Sequence, residues 1–232
     1  MSARDDILSR VRAALTDIGT LPQPRAELLA EPPAMSADAV ARTTTSADAK
    51  EGSRVMLELF VENVADYRAT VIRAKEGDVA ATIVAALRSA GLESLVVPTG
   101  LDASWQQALG EAFEVHSESE ADSAATLDAI SAVVTGSALG IASTGTIILD
   151  HRGDQGRREL TLVPDTHVCV IRDDQVVPDV PEAVTRLGAA PHKGQPLTWI
   201  SGPSATSDIE LQRVEGVHGP RTLVVVLVES GD

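Results

Sequence analysis

The residues best placed to do chemistry lie in one stretch, Leu197 to Pro220, LTWISGPSATSDIELQRVEGVHGP. An apolar run, Leu197 to Ile200, breaks at Ser201-Gly202-Pro203. Ser204, Ala205, Thr206 and Ser207 follow, then Asp208-Ile209-Glu210 and a second turn, Gly216-Val217-His218-Gly219-Pro220. A strand that runs into hydroxyls and glycines exposes backbone N–H groups, which bind anions or carbonyl oxygens where they converge. His218 has two readings: an acid, base or hydrogen-bond donor to a ligand, or a histidine that only shapes its turn. Asp208 also has two. SATSDIE reads as a helix N-terminus with Thr206 as its cap and Asp208 and Glu210 at the positive end of the dipole. That same end offers free N–H groups to an anion.

A second group of candidates is GSALGIASTGTIIL, punctuated by Gly136, Gly140 and Gly145. Its spacing is not G-x-G-x-x-G, and no phosphate-loop lysine motif occurs. The glycines either shape tight turns, or Ser143, Thr144 and Gly145 help line a pocket. Lysine stands only at Lys50, Lys75 and Lys193, none in an apolar setting that favours Schiff-base chemistry. The five histidines, His116, His151, His167, His192 and His218, show no metal-ligand spacing, so no metal site is expected, and most of them are expected at the surface. Arg157 and Arg158 are solvated loop charges or partners for an acidic ligand. No serine–histidine–acid arrangement follows from spacing alone.

Composition narrows the partners. With a net charge of -15 and 2% aromatic residues, the chain lacks the cations and stacking platforms of a nucleic-acid binder. No run approaches the ~20 apolar residues of a membrane helix. The start, MSARDDILSRVRAAL, has no signal-peptide core, and a cytoplasmic protein is expected. The single cysteine, Cys169, cannot furnish the several ligands of an iron–sulfur cluster or structural zinc. Its place in the alternation His167-Val168-Cys169-Val170-Ile171 marks it as a small buried hydrophobe.

The elements that must position these residues begin with an N-terminal arm, residues 1–47. It holds an amphipathic helix over Ala3 to Ile18 and a Pro/Ala-rich linker, followed by a domain over 48–232. Within the domain a helix ends near Tyr67, and helices are expected over Asp78–Ala90, Trp105–Leu109, Ala121–Ala129 and Pro181–Leu187. Strands are expected at Ala69–Arg73, Leu92–Pro98, Phe113–His116, Ser131–Thr135, Thr146–Leu149, Leu160–Val163, His167–Ile171, Leu197–Ser201 and Thr222–Val228. Strands alternating with helices predict an α/β fold of three layers around a mostly parallel sheet. Ligands of such sheets sit beyond the strand carboxyl ends. The turns after Thr135 and Ser201, with the one holding His218, are therefore expected to meet at one such rim.

GIASTGTIIL (Gly140–Leu149), ELTLVPDTHVCVI (Glu159–Ile171) and ISGPSATSDIELQRVEGVHGP (Ile200–Pro220) resemble the LUD-domain family in its lactate-utilization branch. The similarity spans residues 50 to 230, and S-G-P-S-x-T-x-D-I-E…G-V-H-G-P is long and specific. Ser143 departs from the family, which often has an acid there. The resemblance implies a fold similar to sugar-phosphate isomerases and CoA transferases. It also implies a part in oxidising L-lactate to pyruvate beside two partner proteins that carry the iron–sulfur clusters, with no cofactor bound by this chain. The expectation is then an accessory subunit. Its pocket, from Thr144, Gly145, Ser201, Gly202, Ser204, Thr206 and Gly219, binds a small carboxylate or phosphate-bearing ligand, with His218 and Asp208 as candidate catalytic groups. The alternatives are a stand-alone isomerase or acyl/CoA transferase, and a structural adaptor.

Overall fold

The structure is a computed structural model that describes residues 46–121, 123–188, 196–207, 213–215 and 219–230. The chain divides into two units, Met1–Thr45 and Ser46–Asp232, and the described residues belong to the second. The expected helix over Ala3–Ile18 lies outside them.

The centre is a six-stranded parallel sheet in the order β1-β12-β7-β4-β2-β3. Its strands are β1 (Thr70–Lys75), β2 (Ser94–Val97), β3 (Glu114–Ser117), β4 (Ala132–Thr135), β7 (Thr166–Arg172) and β12 (Thr222–Glu229). Every residue of β4 is buried, as are the first six of β7, which is why both read as unbroken apolar runs. One face packs on α2 (Val79–Ser89) and α3 (Ala103–Ala112). Val79, Ile83 and Leu87 fall at four-residue steps along α2 and form its buried stripe. Asp102 caps α3 by accepting from the backbone N–H groups of Ser104 and Trp105. α4 (Ala124–Asp128) places Leu127 beside Val96 and Val133.

The other face meets α1 (Ser46–Asp66) and a second, four-stranded sheet ordered β8-β5-β6-β9. Its strands are β5 (Leu139–Ile141), β6 (Thr146–Leu149), β8 (Val176–Val177) and β9 (Thr198–Ile200). Phe60 and Val64 of α1 pack with Ile147 and Leu149 of β6 and with Cys169 and Ile171 of β7. The far side of the small sheet is closed by α5 (Val180–Leu187) through Ala183 and Leu187. No helix among the described residues is long and apolar enough to cross a membrane.

Three expectations are corrected. Leu160–Val163 is not a strand: Arg158–Thr161 is a 3-10 turn that buries Leu160 against α4's cluster. Ala205–Ser207 does not open a helix but forms β10, paired antiparallel with β11 (Arg213–Glu215). The first helix among the described residues starts at Ser46, inside the stretch expected to be arm.

Candidate functional site

The SGPS turn and the Gly219-Pro220 turn meet. The backbone N–H of Ser204 donates to the Pro220 carbonyl (2.8 Å), tying the segment that leaves β9 to the segment that enters β12. Gly202 has φ +107°, and a side chain there would run into Tyr67, so only glycine makes this bend. Together with Thr161, Leu162, His167 and Leu223 the two turns enclose a hollow of about 270 Å³. Ser201, Gly202, Ser204 and Gly219, four of the residues singled out in the sequence, line it.

The hollow opens where β7 and β12 begin, since His167 and Leu223 are register partners near their amino-terminal ends. This overturns the expected carboxyl-end location. β9 belongs to the small sheet and runs antiparallel to β6, so its carboxyl end does not share the rim that β4 points to. The turn after Thr135 stands at the opposite, carboxyl end of the main sheet. There the Gly136 N–H donates to the Asp154 carbonyl (3.0 Å) and the Gly100 N–H to the Gly153 carbonyl (2.9 Å). The chain order reverses between β2 and β4, where parallel sheets place ligands. Here those donors are engaged by the loop after β6. A crevice of about 220 Å³ remains, lined by Asp102, Trp105, Asp154 and Arg172 among others. Burial holds the Asp154 acid above the usual carboxylate range.

Of the other candidates, Thr144 is joined to the hollow at one remove. Its hydroxyl bonds that of Thr146 (2.8 Å), which bonds that of Ser201 (2.8 Å). Gly145 serves the scaffold: at φ +56° it lies against the backbone of Asn63 and Val64 in α1. Ser143 is exposed, and its backbone N–H donates to the Pro178 carbonyl (3.0 Å). Thr206 pairs with Val214 in the β10–β11 ribbon. Asp208 and His218 lie outside the described residues. Arg157 is half-buried and engaged within the fold. It donates to the carbonyls of Glu118 (2.8 Å) and Ala121 and staples its loop down.

His167, one of the histidines expected mostly at the surface, is 1% exposed and lines the hollow. The signal was the alternation in which it sits: the parity that buries Cys169 and Ile171 also turns His167 inward. Its Nε2 bonds the Thr135 hydroxyl (2.8 Å), which approaches Cys169 Sγ (3.9 Å), whose thiol faces the Gly136 carbonyl (3.6 Å). Burial pushes the His167 pKa down to about 4, so the ring is neutral at pH 7. It pushes the Cys169 thiol up to about 12, which keeps it inert. Among the described residues lining the hollow none is Asp, Glu, Lys or Arg. No group of three or more potential metal ligands occurs among the described residues.

The family model described as LUD domain matches residues 57–228. Lactate utilization protein C of Deinococcus radiodurans is 47% identical over 173 residues, 75% of this chain and 79% of that protein. Protein YkgG of Escherichia coli, itself uncharacterized, is 33% identical over 95 residues, 39% of this chain and 41% of that one. The crystal structure of a DUF162 family protein from Deinococcus radiodurans aligns with TM-score 0.66 at 40% identity. The alignment covers 76% of this chain and 98% of that one.

Proposed function

Because the chain belongs to the LUD domain family, we propose that it serves L-lactate utilization as a cytoplasmic accessory subunit whose hollow holds a small carboxylate. The name of its Deinococcus relative, lactate utilization protein C, supports the metabolic half of this reading. The observation that carries the binding half is the hollow itself. Two turns rich in small polar residues are tied together at Ser204 and Pro220 and floored by a buried histidine. Ser201, Ser204 and Thr198 bring hydroxyls, and Leu162 and Leu223 bring apolar wall. That mixture suits a short acid with one polar end.

Electrons removed from lactate leave through other chains in this reading. One buried cysteine cannot ligate a cluster, so two partner proteins that carry iron–sulfur clusters accept them. His218 and Asp208 keep the candidate roles given by the sequence, as proton or hydrogen-bond groups. The described lining offers no cation for a sugar phosphate or a CoA ester, so the stand-alone isomerase or transferase gains no support from it.

The test is genetic and biochemical together. Deleting the gene in the source organism should abolish growth on L-lactate and leave growth on sugar intact, and a tagged copy should restore it and co-purify with cluster-bearing proteins. A Ser204→Phe variant, which fills the hollow, should still co-purify yet fail to restore growth. Normal lactate growth of the deletion strain would refute the assignment.

A further inference from the structure

A carboxylate entering this hollow loses water and meets no fixed positive charge among the described residues, because the side chains that line it are hydroxyls, apolar groups and one imidazole. We propose that the hollow takes up a small hydroxy or keto acid as its singly charged carboxylate together with one proton, and that His167 holds that proton. The inference rests on reading the hollow as the ligand site and deepens it by naming the ligand's charge and the residue that answers it. Neutral imidazole, one proton and one carboxylate become an imidazolium–carboxylate pair, and no covalent bond to carbon changes.

The surroundings of His167 are built for both states of the ring. Nε2 is held by the Thr135 hydroxyl (2.8 Å), which either donates to a neutral ring or accepts from a protonated one. When it accepts, its own hydrogen turns toward Cys169 Sγ (3.9 Å), and the thiol hydrogen toward the Gly136 carbonyl (3.6 Å). No described residue bonds the ring's Nδ1, and no sealed side-chain nitrogen or oxygen among the described residues lacks a partner. With Nε2 taken by Thr135, Nδ1 is the ring nitrogen that the proposal assigns to the ligand. In the empty protein burial keeps the ring neutral. A carboxylate beside Nδ1 reverses the balance, since an opposite charge within about 4–6 Å favours the charged ring.

Among the described residues few titratable groups surround the ring. On its own strand the neighbour on the same face is Cys169, held as a thiol. β4 contributes Thr135, β12 contributes Leu223, and the turn after Arg158 contributes Thr161 and Leu162. From β9 comes Thr198, behind which His151 Nε2 bonds the Thr198 hydroxyl (2.8 Å). At the outer rim Asp165 and Arg221 are exposed and pair with each other (3.0 Å). His151 is thus the one other imidazole among the described residues around the hollow, and the experiment has to separate it. A dianion such as sulfate would need a second positive charge that the described lining does not hold, so the site discriminates by charge as well as size.

The experiment is calorimetry of the full chain with L-lactate and with pyruvate, from pH 5.5 to 8, in two buffers of different ionisation heat. The expected result is uptake of one proton per ligand and a Kd that rises about tenfold per pH unit, with sulfate not binding. His167→Gln should remove both the uptake and the slope, and His151→Asn should keep them. In the unsubstituted protein, imidazole resonances should show the His167 pKa rising on addition of lactate, which tests the proposal even if His167→Gln does not fold. Saturable binding without proton uptake, an unchanged slope in His167→Gln, or sulfate binding more tightly than lactate would overturn this proposal alone. No saturable binding of either acid at any pH would overturn the reading of the hollow as well.

Discussion

At the level of single residues, burial and backbone geometry decide roles that residue type leaves open. Gly145 looks like a ligand-binding glycine in the sequence, yet its φ of +56° and the Asn63 backbone, 2.5 Å from where a Cβ would stand, make it a packing residue. Gly145→Ala should cost roughly 3 kcal/mol in urea unfolding, about 1–2 from left-handed strain and the rest from overlap. Gly52→Ala should do the opposite. Gly52 is helical and exposed with nothing within 4 Å of a new Cβ, so the change should gain about 0.5–1 kcal/mol. His167 makes a separate prediction about stability without ligand. Its folded pKa, about 4, lies below the ordinary 6.5, so between those pH values the unfolded chain binds a proton that the folded chain refuses. The penalty is absent above pH 6.5, grows as pH falls, and levels off below about 4 at roughly 3 kcal/mol. Unfolding free energies of the unsubstituted protein and of His167→Gln, compared at pH 7.5 and pH 4.5, should diverge by that trend. Asp154, whose acid is shifted the other way, cancels between the two proteins.

The secondary-structure elements were legible where burial on both faces writes a continuous apolar run, as in SAVVT before Gly136 and TLVVVLV in β12. They were not legible where the element is short. β5 and β9 have three residues each, too few for a period, and nothing in LGI or TWI says that they leave the main sheet for a second one. That sheet is what moves the hollow to the amino-terminal rim, so the SGPS and Gly219-Pro220 turns could be singled out as polar turns but not located. Leu160 and Val163 misled for a related reason: a 3-10 turn that buries an apolar side chain leaves the same letters as a strand. The small sheet depends on α1 for its cover. Phe60 is fully buried, beside Ile147, Leu149 and Ile171, and Gly140 leaves room for its ring. Phe60→Ala should therefore cost about 3–5 kcal/mol. It should also loosen β5, β6 and β9 first, which hydrogen exchange would register as lost protection in the small sheet before the parallel one. Val55→Ala, at an exposed position of the same helix, should stay within about 0.5 kcal/mol.

Across the whole molecule the dominant long-range quantity is charge: 34 acidic residues against 19 basic, net -15. Several basic side chains pair with acids at exposed positions, such as Arg73 with Glu58 and Glu229 (2.7 Å each) or Arg221 with Asp165 (3.0 Å). Such pairs are worth about 0–1 kcal/mol each and lose part of that in salt. The uncompensated acids repel one another over distances that salt shortens, from a Debye length of about 30 Å at 0.01 M to about 8 Å at 0.15 M. Screening therefore acts on both, with opposite signs, and the excess of acids decides the outcome. Raising NaCl across that range at pH 7.5 should raise the melting temperature by about 2–4 °C, the shift that roughly 1 kcal/mol produces in a chain of this size. The control is internal. Near pH 4.7, the isoelectric point, net repulsion vanishes and the same salt step should leave the melting temperature unchanged or lower it slightly as the pairs weaken. A fall at pH 7.5 would mean that the surface pairs outweigh the repulsion, and that the acidic excess is already neutralised within the fold.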